Sequence, residues 1–311
     1  MRSFARAILA AAGVVSLVGT ATAPASASTN TPYVIVALGD SYASGEGLYV
    51  GASPQNAGSW LTRGNHPAPH DDGCHRSPYG YPAVVARWLP TRLHRSVVLR
   101  YLACSGATTA DLWAAPGRSS LLAGPEHLEA PQITPRALRG ANLVTITIGG
   151  NDVGFVSILG ICELEPAVCT GMPGAGLAAT LSHRIDALRP TLTATYRQVQ
   201  RLAPRALVEV VEYPDLFPTS SATSCQGLPA STISAFHAAE VHLAAVISSS
   251  AQAAGVRVVD PNSSGHFRGR SVCSAHSLFG GLNSTYLGAA FHPTRQGQAD
   301  IAQSVERAIT G

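Results

Sequence analysis

A serine and a histidine near opposite ends of the chain have the settings expected of a nucleophile and its base. An apolar run, residues 33–38, is followed by Gly39-Asp40 and then Ser41. His292 stands just before Pro293, a residue that favours the first turn of a helix, so the backbone fixes the position of the imidazole. Each residue alone has an ordinary alternative, because serine often caps a helix and histidines are commonly structural. As a pair they suit nucleophilic catalysis.

Two segments between these residues supply hydrogen-bond donors. Gly106 follows a second apolar run and presents an N–H without side-chain obstruction, and Asn151 follows a third run and presents a side-chain amide. Turns of either kind are common in proteins, so neither segment is specific by itself. The order Ser, Gly, Asn and His after successive apolar runs is much less expected by chance. These groups suit an anion that develops near the Ser41 N–H.

The surrounding pattern alternates strands with helices and predicts an α/β fold. Apolar and β-branched runs predict strands at residues 33–38, 96–102, 143–148, 206–212 and 256–260. Helical spacing predicts helices at 82–89, 181–202 with a kink or restart at Pro190, 231–254 and 294–309. Residues 45–73, 160–176 and 262–286 read as loops. This alternation predicts a central parallel sheet with helices on both faces, a three-layer α/β/α sandwich. Ligands of such folds bind at the carboxyl ends of the strands, where the four polar segments fall.

The composition excludes several other kinds of chemistry. The 311-residue chain is 46% hydrophobic and 13% charged, with a net charge of +3, whereas globular domains average about 25% charged. All 21 cationic residues are arginine, which excludes lysine Schiff bases and a phosphate-loop lysine. No basic run exceeds two residues, so a nucleic-acid partner is not expected. No cofactor is expected either.

The first 27 residues have the pattern of a signal peptide. Arg2 and Arg6 precede an apolar run, residues 7–18, and Ala25-Ser26-Ala27 has the form of a cleavage site. The run is short for a membrane span, although an N-terminal anchor is the alternative. We therefore predict a signal peptide at 1–27, a single domain at 28–311, and a secreted, monomeric protein without a stable membrane anchor.

Six cysteines in an exported chain predict three disulfides, with free buried thiols as the alternative. Fifteen pairings are possible. Nearest-neighbour pairing gives three unentangled loops: Cys74–Cys104, Cys162–Cys169 and Cys225–Cys273.

The chain resembles the secreted SGNH (GDSL-type) hydrolases, which include lipases and esterases typical of actinobacteria. Four blocks match in order: Gly39-Asp40-Ser41-Tyr42-Ala43-Ser44-Gly45-Glu46-Gly47, Ser105-Gly106-Ala107-Thr108, Gly149-Gly150-Asn151-Asp152 and Phe291-His292-Pro293-Thr294. The segment Cys74-His75-Arg76-Ser77, followed by Tyr81-Pro82, is similar to the branch with three sequential disulfides. The resemblance implies the flavodoxin-like SGNH fold. It also implies Ser41 as nucleophile, His292 as base, and an oxyanion hole of the Ser41 N–H, the Gly106 N–H and the Asn151 side chain.

One position departs from the family pattern. Many members carry an aspartate three residues before the histidine, where this chain has Ala289. We expect the main-chain carbonyl of Ala289 or Ala290 to orient the imidazole instead. This Ser–His dyad arrangement resembles that of some secreted actinobacterial members of the family. Asp260 and Asp300 are the acidic alternatives. For Asp40 and Asp152, beside the proposed catalytic residues, we favour structural hydrogen bonding.

A second polar cluster has residue types that suit a divalent metal. It consists of His66, His70, Asp71, Asp72 and His75. Its spacing matches no standard zinc signature, and two prolines interrupt it. We favour a solvated polar loop near the substrate entrance and predict no metal site.

The leading hypothesis is a secreted serine hydrolase of carboxylic esters that acts through an acyl-enzyme on Ser41. Its substrate would be a lipid or small-molecule ester. Lipase, short-chain esterase, phospholipase and carbohydrate acetylesterase activities remain open. A secreted protein that binds a ligand without turnover is the alternative from another class, and a nucleotide-binding domain fits poorly because no glycine-rich phosphate motif follows the first strand. Apolar residues that could form an acyl site are Leu48, Tyr49, Leu159, Ile161 and Phe279.

Overall fold

The apolar runs predicted as strands form one parallel sheet. Its order is β2-β1-β3-β4-β5, with β1 Tyr33–Gly39, β2 Val97–Tyr101, β3 Leu143–Thr147, β4 Leu207–Val211 and β5 Arg257–Val259. Every residue of β3 is buried, as expected for a central strand covered by helices on both faces. β1 pairs with β2 and β3, so their carboxyl ends lie side by side.

The computed structural model describes residues 31–51, 53–56, 58–69, 72–114, 130–164, 176–219, 224–284 and 286–310. Within the chain, Pro32–Gly311 forms one compact unit by its contacts. The segment predicted to be a signal peptide, residues 1–27, lies outside the described residues, so that assignment stays a prediction.

Helices cover both faces of the sheet. They are α1 Ser41–Ser44, α2 Tyr81–Leu93, α3 Pro135–Leu138, α4 Gly150–Val153, α5 Phe155–Leu164, α6 Gly176–Leu202, α7 Ala230–Ala254 and α8 Arg295–Thr310. Short 3₁₀ turns occur at Ala110–Leu112, Pro261–Ser264 and Leu287–Ala289. α2 packs against α8, and α6 packs along α7. The β1-to-β2 crossover and the β3-to-β4-to-β5 crossovers run in opposite directions, and because such crossovers are right-handed, the two helix pairs lie on opposite faces. The predicted three-layer α/β/α sandwich is confirmed.

Two details differ from the sequence predictions. The helix does not restart at Pro190, because α6 runs unbroken from Gly176 to Leu202. Pro190 lies on the exposed side, so the carbonyl that proline leaves unpaired faces water while the buried stripe keeps its packing. In addition, α5 extends to Leu164 into the predicted loop at 160–176. α5 is strongly apolar but has no apolar stripe along one side, so the spacing of its apolar residues did not predict a helix.

Among the described residues, one helix, α7, has the length and composition of a membrane-crossing helix. Helices in the core of a domain share these properties. α7 packs along α6 and contacts β4 and β5, so its apolar residues serve the core of this fold.

Candidate active site

Ser41 lies at the carboxyl end of β1, at the first position of α1. β1 ends at Gly39, whose φ of 132° and close approach to β3 require glycine, since a Cβ there would lie 2.2 Å from the Thr147 carbonyl oxygen. Asp40 caps α1 by accepting the Tyr42 N–H at 3.0 Å. The helix cap is therefore Asp40, and Ser41 is left for another role.

His292 is fixed by its own loop. Its main-chain N–H donates to the Ala289 carbonyl at 3.2 Å, and its Nδ1 lies 3.0 Å from the Ala290 carbonyl oxygen. Because a carbonyl can only accept, Nδ1 carries the proton and Nε2 keeps the lone pair of a base. Within the described part of the chain, the buried Nε2 atom has no hydrogen-bond partner.

Burial also sets the protonation of His292. It lowers the pKa of the imidazole below its ordinary value, against the negative charge of Glu46 and the carbonyls of Ala290 and Gly288, which raise it. The neutral form of His292 is therefore favoured at neutral pH, as a general base requires.

Tyr42 and Gln298 join the serine and histidine segments, and sequence reasoning missed both. The Tyr42 hydroxyl donates to the Phe291 carbonyl at 2.7 Å, and the Tyr42 ring lies 5.4 Å from the His292 ring. The Gln298 amide donates to the Tyr42 carbonyl at 3.0 Å and accepts the Tyr81 N–H at 2.7 Å. The sequence signal for Tyr42 was its place beside Ser41.

Gly106 and Asn151 lie at the carboxyl ends of the two strands that flank β1. Gly106, in the loop after β2, has a φ of 78°, which suits glycine. Asn151, in α4 after β3, donates from Nδ2 to the Ala107 carbonyl at 2.9 Å. This bond brings the two expected oxyanion donors onto neighbouring segments.

Carboxylates brace these strand ends. Asp152 accepts the Thr109 N–H at 3.0 Å and its hydroxyl at 2.6 Å. Asp40 accepts the Tyr213 hydroxyl, which in turn accepts the Gly150 N–H at 3.0 Å. Burial raises the pKa of Asp40 to about 7, although these hydrogen bonds lower it. Both aspartates make structural hydrogen bonds, as we expected.

A cavity of about 570 Å³ opens beside Ser41, Asn151 and His292. Its walls are mainly apolar and include Phe155, Val156, Leu159, Leu216, Leu243, Ala244, Leu282, Leu287 and Phe291. Small-molecule sites have this size and this combination of apolar walls with a few polar groups.

The acyl-site residues expected from the sequence divide between several places. Leu159 lines the large cavity, whereas Leu48 and Tyr49 line a second cavity of about 420 Å³ that also reaches His292. Ile161 and Phe279 line neither cavity, since Ile161 is 44% exposed and Phe279 is buried in the core. Apolar character alone does not distinguish residues that line a cavity from residues in the core or on the surface.

The acidic alternatives for orienting His292 are engaged elsewhere. Asp260 accepts the Asn262 N–H at 2.8 Å. Asp300 lies 2.9 Å from the Gln296 amide and 3.2 Å from Nδ1 of His266. Of the two carbonyls expected to orient the ring, that of Ala290 faces Nδ1, and that of Ala289 binds the main chain.

Two residues of the polar cluster that was considered as a metal site form ion pairs with other side chains. Nδ1 of His75 lies 2.6 Å from Oε2 of Glu46, and Asp72 pairs with Arg76. His70 and Asp71 lie outside the described residues. Among the described residues, no group of three or more potential ligands is arranged to hold a metal ion.

Two disulfides match the nearest-neighbour pairing. Cys74–Cys104 ties the loop that carries His75 to the end of β2, where the Ser105 N–H donates to the Cys74 carbonyl at 3.1 Å. Cys225–Cys273 closes a second loop. Cys162 is disulfide-bonded, but its expected partner, Cys169, lies outside the described residues, so that pair stays a prediction.

The sequence model of the GDSL-like lipase/acylhydrolase family matches residues 37–299, which include all four blocks of the site. The chain belongs to this family. It is therefore a hydrolase of carboxylic esters. This confirms the reaction class that the sequence predicted.

Curated relatives and solved structures of this family support the assignment. The chain is 31% identical to Lipase 1 of Streptomyces coelicolor over 298 residues, covering 95% of this chain and 93% of the relative. It is 30% identical to a lipase of Streptomyces rimosus over 284 residues, covering 88% and 87%.

Two crystal structures share the fold along nearly their whole length. The extracellular lipase of Streptomyces rimosus has a TM-score of 0.64 at 27% identity, covering 89% of this chain and 99% of that one. Phospholipase A1 of Streptomyces albidoflavus has a TM-score of 0.65, with the same identity and coverage.

Proposed function

We propose that this hydrolase cleaves esters of apolar acyl chains through an acyl-enzyme on Ser41. Nε2 of His292 takes the Ser41 hydroxyl proton while Oγ attacks the ester carbonyl carbon. The tetrahedral intermediate collapses, the bond to the alcohol oxygen breaks, and His292 returns the proton to the leaving alcohol. Water, deprotonated by the same nitrogen, then attacks the acyl-enzyme and releases the acid and Ser41.

The oxyanion of each tetrahedral intermediate would bind the Ser41 N–H, the Gly106 N–H and the Asn151 amide. Each donor of this kind typically contributes about 10²–10³ in rate. The support for this assignment is that the three groups come from the ends of the adjacent strands β2, β1 and β3.

The apolar cavity is the observation that carries the substrate class. Its lining includes Ser41 and His292 together with leucines, phenylalanines and a valine. An acetyl group would leave most of this surface unfilled, whereas a longer acyl chain would bury apolar area worth about 25 cal/mol per Å². We therefore favour lipase activity over carbohydrate acetylesterase activity.

Phospholipid is the second candidate substrate. The observation that favours it is the similarity to the phospholipase A1 of Streptomyces albidoflavus along 99% of that chain. The acyl half of the reaction would be the same, and only the leaving alcohol would differ.

We further propose that the protein is secreted as a monomer after cleavage near Ala27, with Cys162–Cys169 as a third disulfide and without a cofactor. The support is the signal-like pattern of residues 1–27, the two observed disulfides and the extracellular relative. Mass spectrometry of the non-reduced culture-medium protein would reveal the first residue and the third cross-link. A chain that starts before residue 28 or has a free Cys162 thiol would contradict this part.

The mechanism is tested with an organophosphonate probe and a series of p-nitrophenyl esters of increasing chain length. The wild-type protein should be labelled on Ser41 and should prefer longer acyl chains, and Ser41→Ala should abolish both labelling and turnover. Ser44→Ala is the matched control, because the Ser44 hydroxyl donates to the Ser41 carbonyl at 3.2 Å and has no part in the proposed reaction. It should retain labelling. Full activity in Ser41→Ala would overturn the mechanism, and absent labelling with absent turnover in the wild type would favour a binding protein.

A further inference from the structure

A buried carboxylate, Glu46, lies against the loop that carries His292. Glu46 is 1% exposed, and a Cβ on Gly288 would lie 2.7 Å from its Oε1 atom. Glu46 and His292 line the same 420 Å³ cavity. No step of the proposed reaction uses this carboxylate.

Three segments hold the Glu46 carboxylate in place. Oε2 lies 2.6 Å from Nδ1 of His75, and Oε1 accepts the Gly47 N–H at 3.1 Å. The hydroxyl of Ser105, the residue before Gly106, also donates to it. His75 is itself stacked on Trp60, with ring centroids 4.6 Å apart. This carboxylate therefore connects the segment after Ser41, the loop that carries His75 and the loop before Gly106.

Glu46 is ionised at neutral pH. Burial, the largest effect, raises the pKa of its carboxyl, but the hydrogen bonds of His75 and Ser105 and the positive charges of His75 and His292 together bring that pKa below its ordinary value. A fixed negative charge next to His292 stabilises the imidazolium that forms when Ser41 loses its proton, and the low dielectric of the interior strengthens the effect.

We propose that Glu46 is a positioning residue that supplies through space the negative charge that other family members obtain from the aspartate missing at Ala289. The Ala290 carbonyl, 3.0 Å from Nδ1 of His292, fixes the tautomer. This inference rests on the proposed roles of Ser41 and His292.

Other charged groups also face His292. The charge of His75 lowers the pKa of the imidazole, against that of Glu46, and Arg295 lines the same cavity as Glu46. Asp40, Asp215 and Glu240 line the apolar cavity of about 570 Å³ together with His292. Glu46 is the one whose charge acts most strongly on the imidazole.

The test is Glu46→Gln, which keeps the side-chain size and removes the charge. Loss of a negative charge destabilises the imidazolium and lowers the pKa of His292, so the acid limb of kcat/KM should move to lower pH. At the plateau, kcat should fall by about tenfold, the factor that corresponds to one pKa unit, with little change in KM. A purely structural role would lower kcat or the folded fraction without moving the limb.

The matched control is Glu209→Gln, which removes another buried carboxylate, in β4. It should leave the acid limb in place. NMR titration of His292 in Ser41→Ala and Ser41→Ala/Glu46→Gln proteins reads the same pKa without turnover, so failure of this inference is distinguishable from failure of the Ser41 mechanism. A folded Glu46→Gln protein with unchanged His292 titration would overturn the inference. If Glu46→Gln does not fold, Glu46→Asp should give a smaller shift in the same direction, and an unchanged limb and kcat there would equally overturn it.

Discussion

The Nδ1 atom of His292 lies 3.0 Å from the carbonyl oxygen of Ala290, two residues earlier in the chain. A carbonyl carries only a partial charge, so this contact selects the tautomer but stabilises the imidazolium less than a carboxylate would. The two functions of a catalytic aspartate are thereby separable in this protein. Orientation comes from the backbone, and the charge comes from the buried Glu46 in our proposal.

The pH dependence of turnover follows from the burial of His292. Burial brings the pKa of its imidazole below the ordinary value of 6.5, and the base must be neutral, so activity is lost only as the pH falls through this lowered pKa. We expect the acid limb of kcat/KM for a soluble ester to have its midpoint below pH 6.5. Burial raises the pKa of Asp40 to about 7, so the same profile in Asp40→Asn isolates the His292 limb. A limb at or above pH 6.5 in that variant would contradict the prediction.

Close packing of Gly47 against Ala289 should couple the serine segment to the histidine loop. A Cβ on Gly47 would lie 2.5 Å from the Ala289 Cα atom, and its φ is 82°. Gly47→Ala should therefore cost about 1–3 kcal/mol of backbone strain and, in addition, displace the loop before His292. Misplacement by about 1 Å can reduce turnover by about 10²-fold. Thermal unfolding and kcat of the purified variant measure the two effects.

Gly51→Ala is the control for that experiment. Gly51 has a similar φ of 93°, but the nearest atom to an added Cβ is a side-chain nitrogen at 3.9 Å. It should show the strain cost alone and keep its kcat. Equal loss of kcat in both variants would show that strain, and not contact with Ala289, is responsible.

The sequence was sufficient for the sheet and for the order of the site segments, because both depend on local patterns. A run such as β3 is apolar and β-branched throughout, and parallel strands necessarily bring their carboxyl ends to one edge. The choice between the Ala289 and Ala290 carbonyls was open, because it depends on the backbone at Phe291. Its φ of 61° is rare for an aromatic residue and no local pattern signals it.

The sequence could not predict which residues support Ser41 and His292, because their contacts join segments that are distant in the chain. Gln298 contacts the Tyr42 carbonyl across a separation of 256 residues, and Glu46 contacts His75 across 29. Such contacts exist only after the helices and loops have packed. Glu46 lay within a matched block, but the block did not show that the side chain turns inward toward His75.

The buried carboxylate of Glu209 should make stability depend on pH. Burial raises the pKa of Glu209 to about 7, although Arg257, 3.7 Å away, lowers it. The folded state then binds this proton more tightly than the unfolded state, whose pKa is near 4.5. Stability is therefore highest below pH 4.5 as far as this group is concerned and declines as the pH rises to about 7, by at most about 3 kcal/mol.

Glu209→Gln removes that dependence. Urea unfolding at pH 5 and pH 8 should show a smaller loss of unfolding free energy in the variant than in the wild type. Asp40, Glu212 and Glu240, whose pKa values burial also raises to about 7, keep part of the slope. An equal loss of unfolding free energy between pH 5 and pH 8 in the two proteins would show that the pKa of Glu209 is not raised in the folded state.

Asn151 should contribute to the transition state and little to substrate binding. Its Nδ2 atom already donates one hydrogen to the Ala107 carbonyl at 2.9 Å, which aims the other hydrogen from a fixed amide. Asn151→Ala should reduce kcat by about 10²–10³ with a much smaller change in KM. The control is Asn142→Ala, since Asn142 accepts the Val34 N–H at 2.8 Å at the opposite end of the sheet. That variant should lose stability and keep its kcat, and a larger effect of Asn151→Ala on KM than on kcat would assign Asn151 to substrate binding.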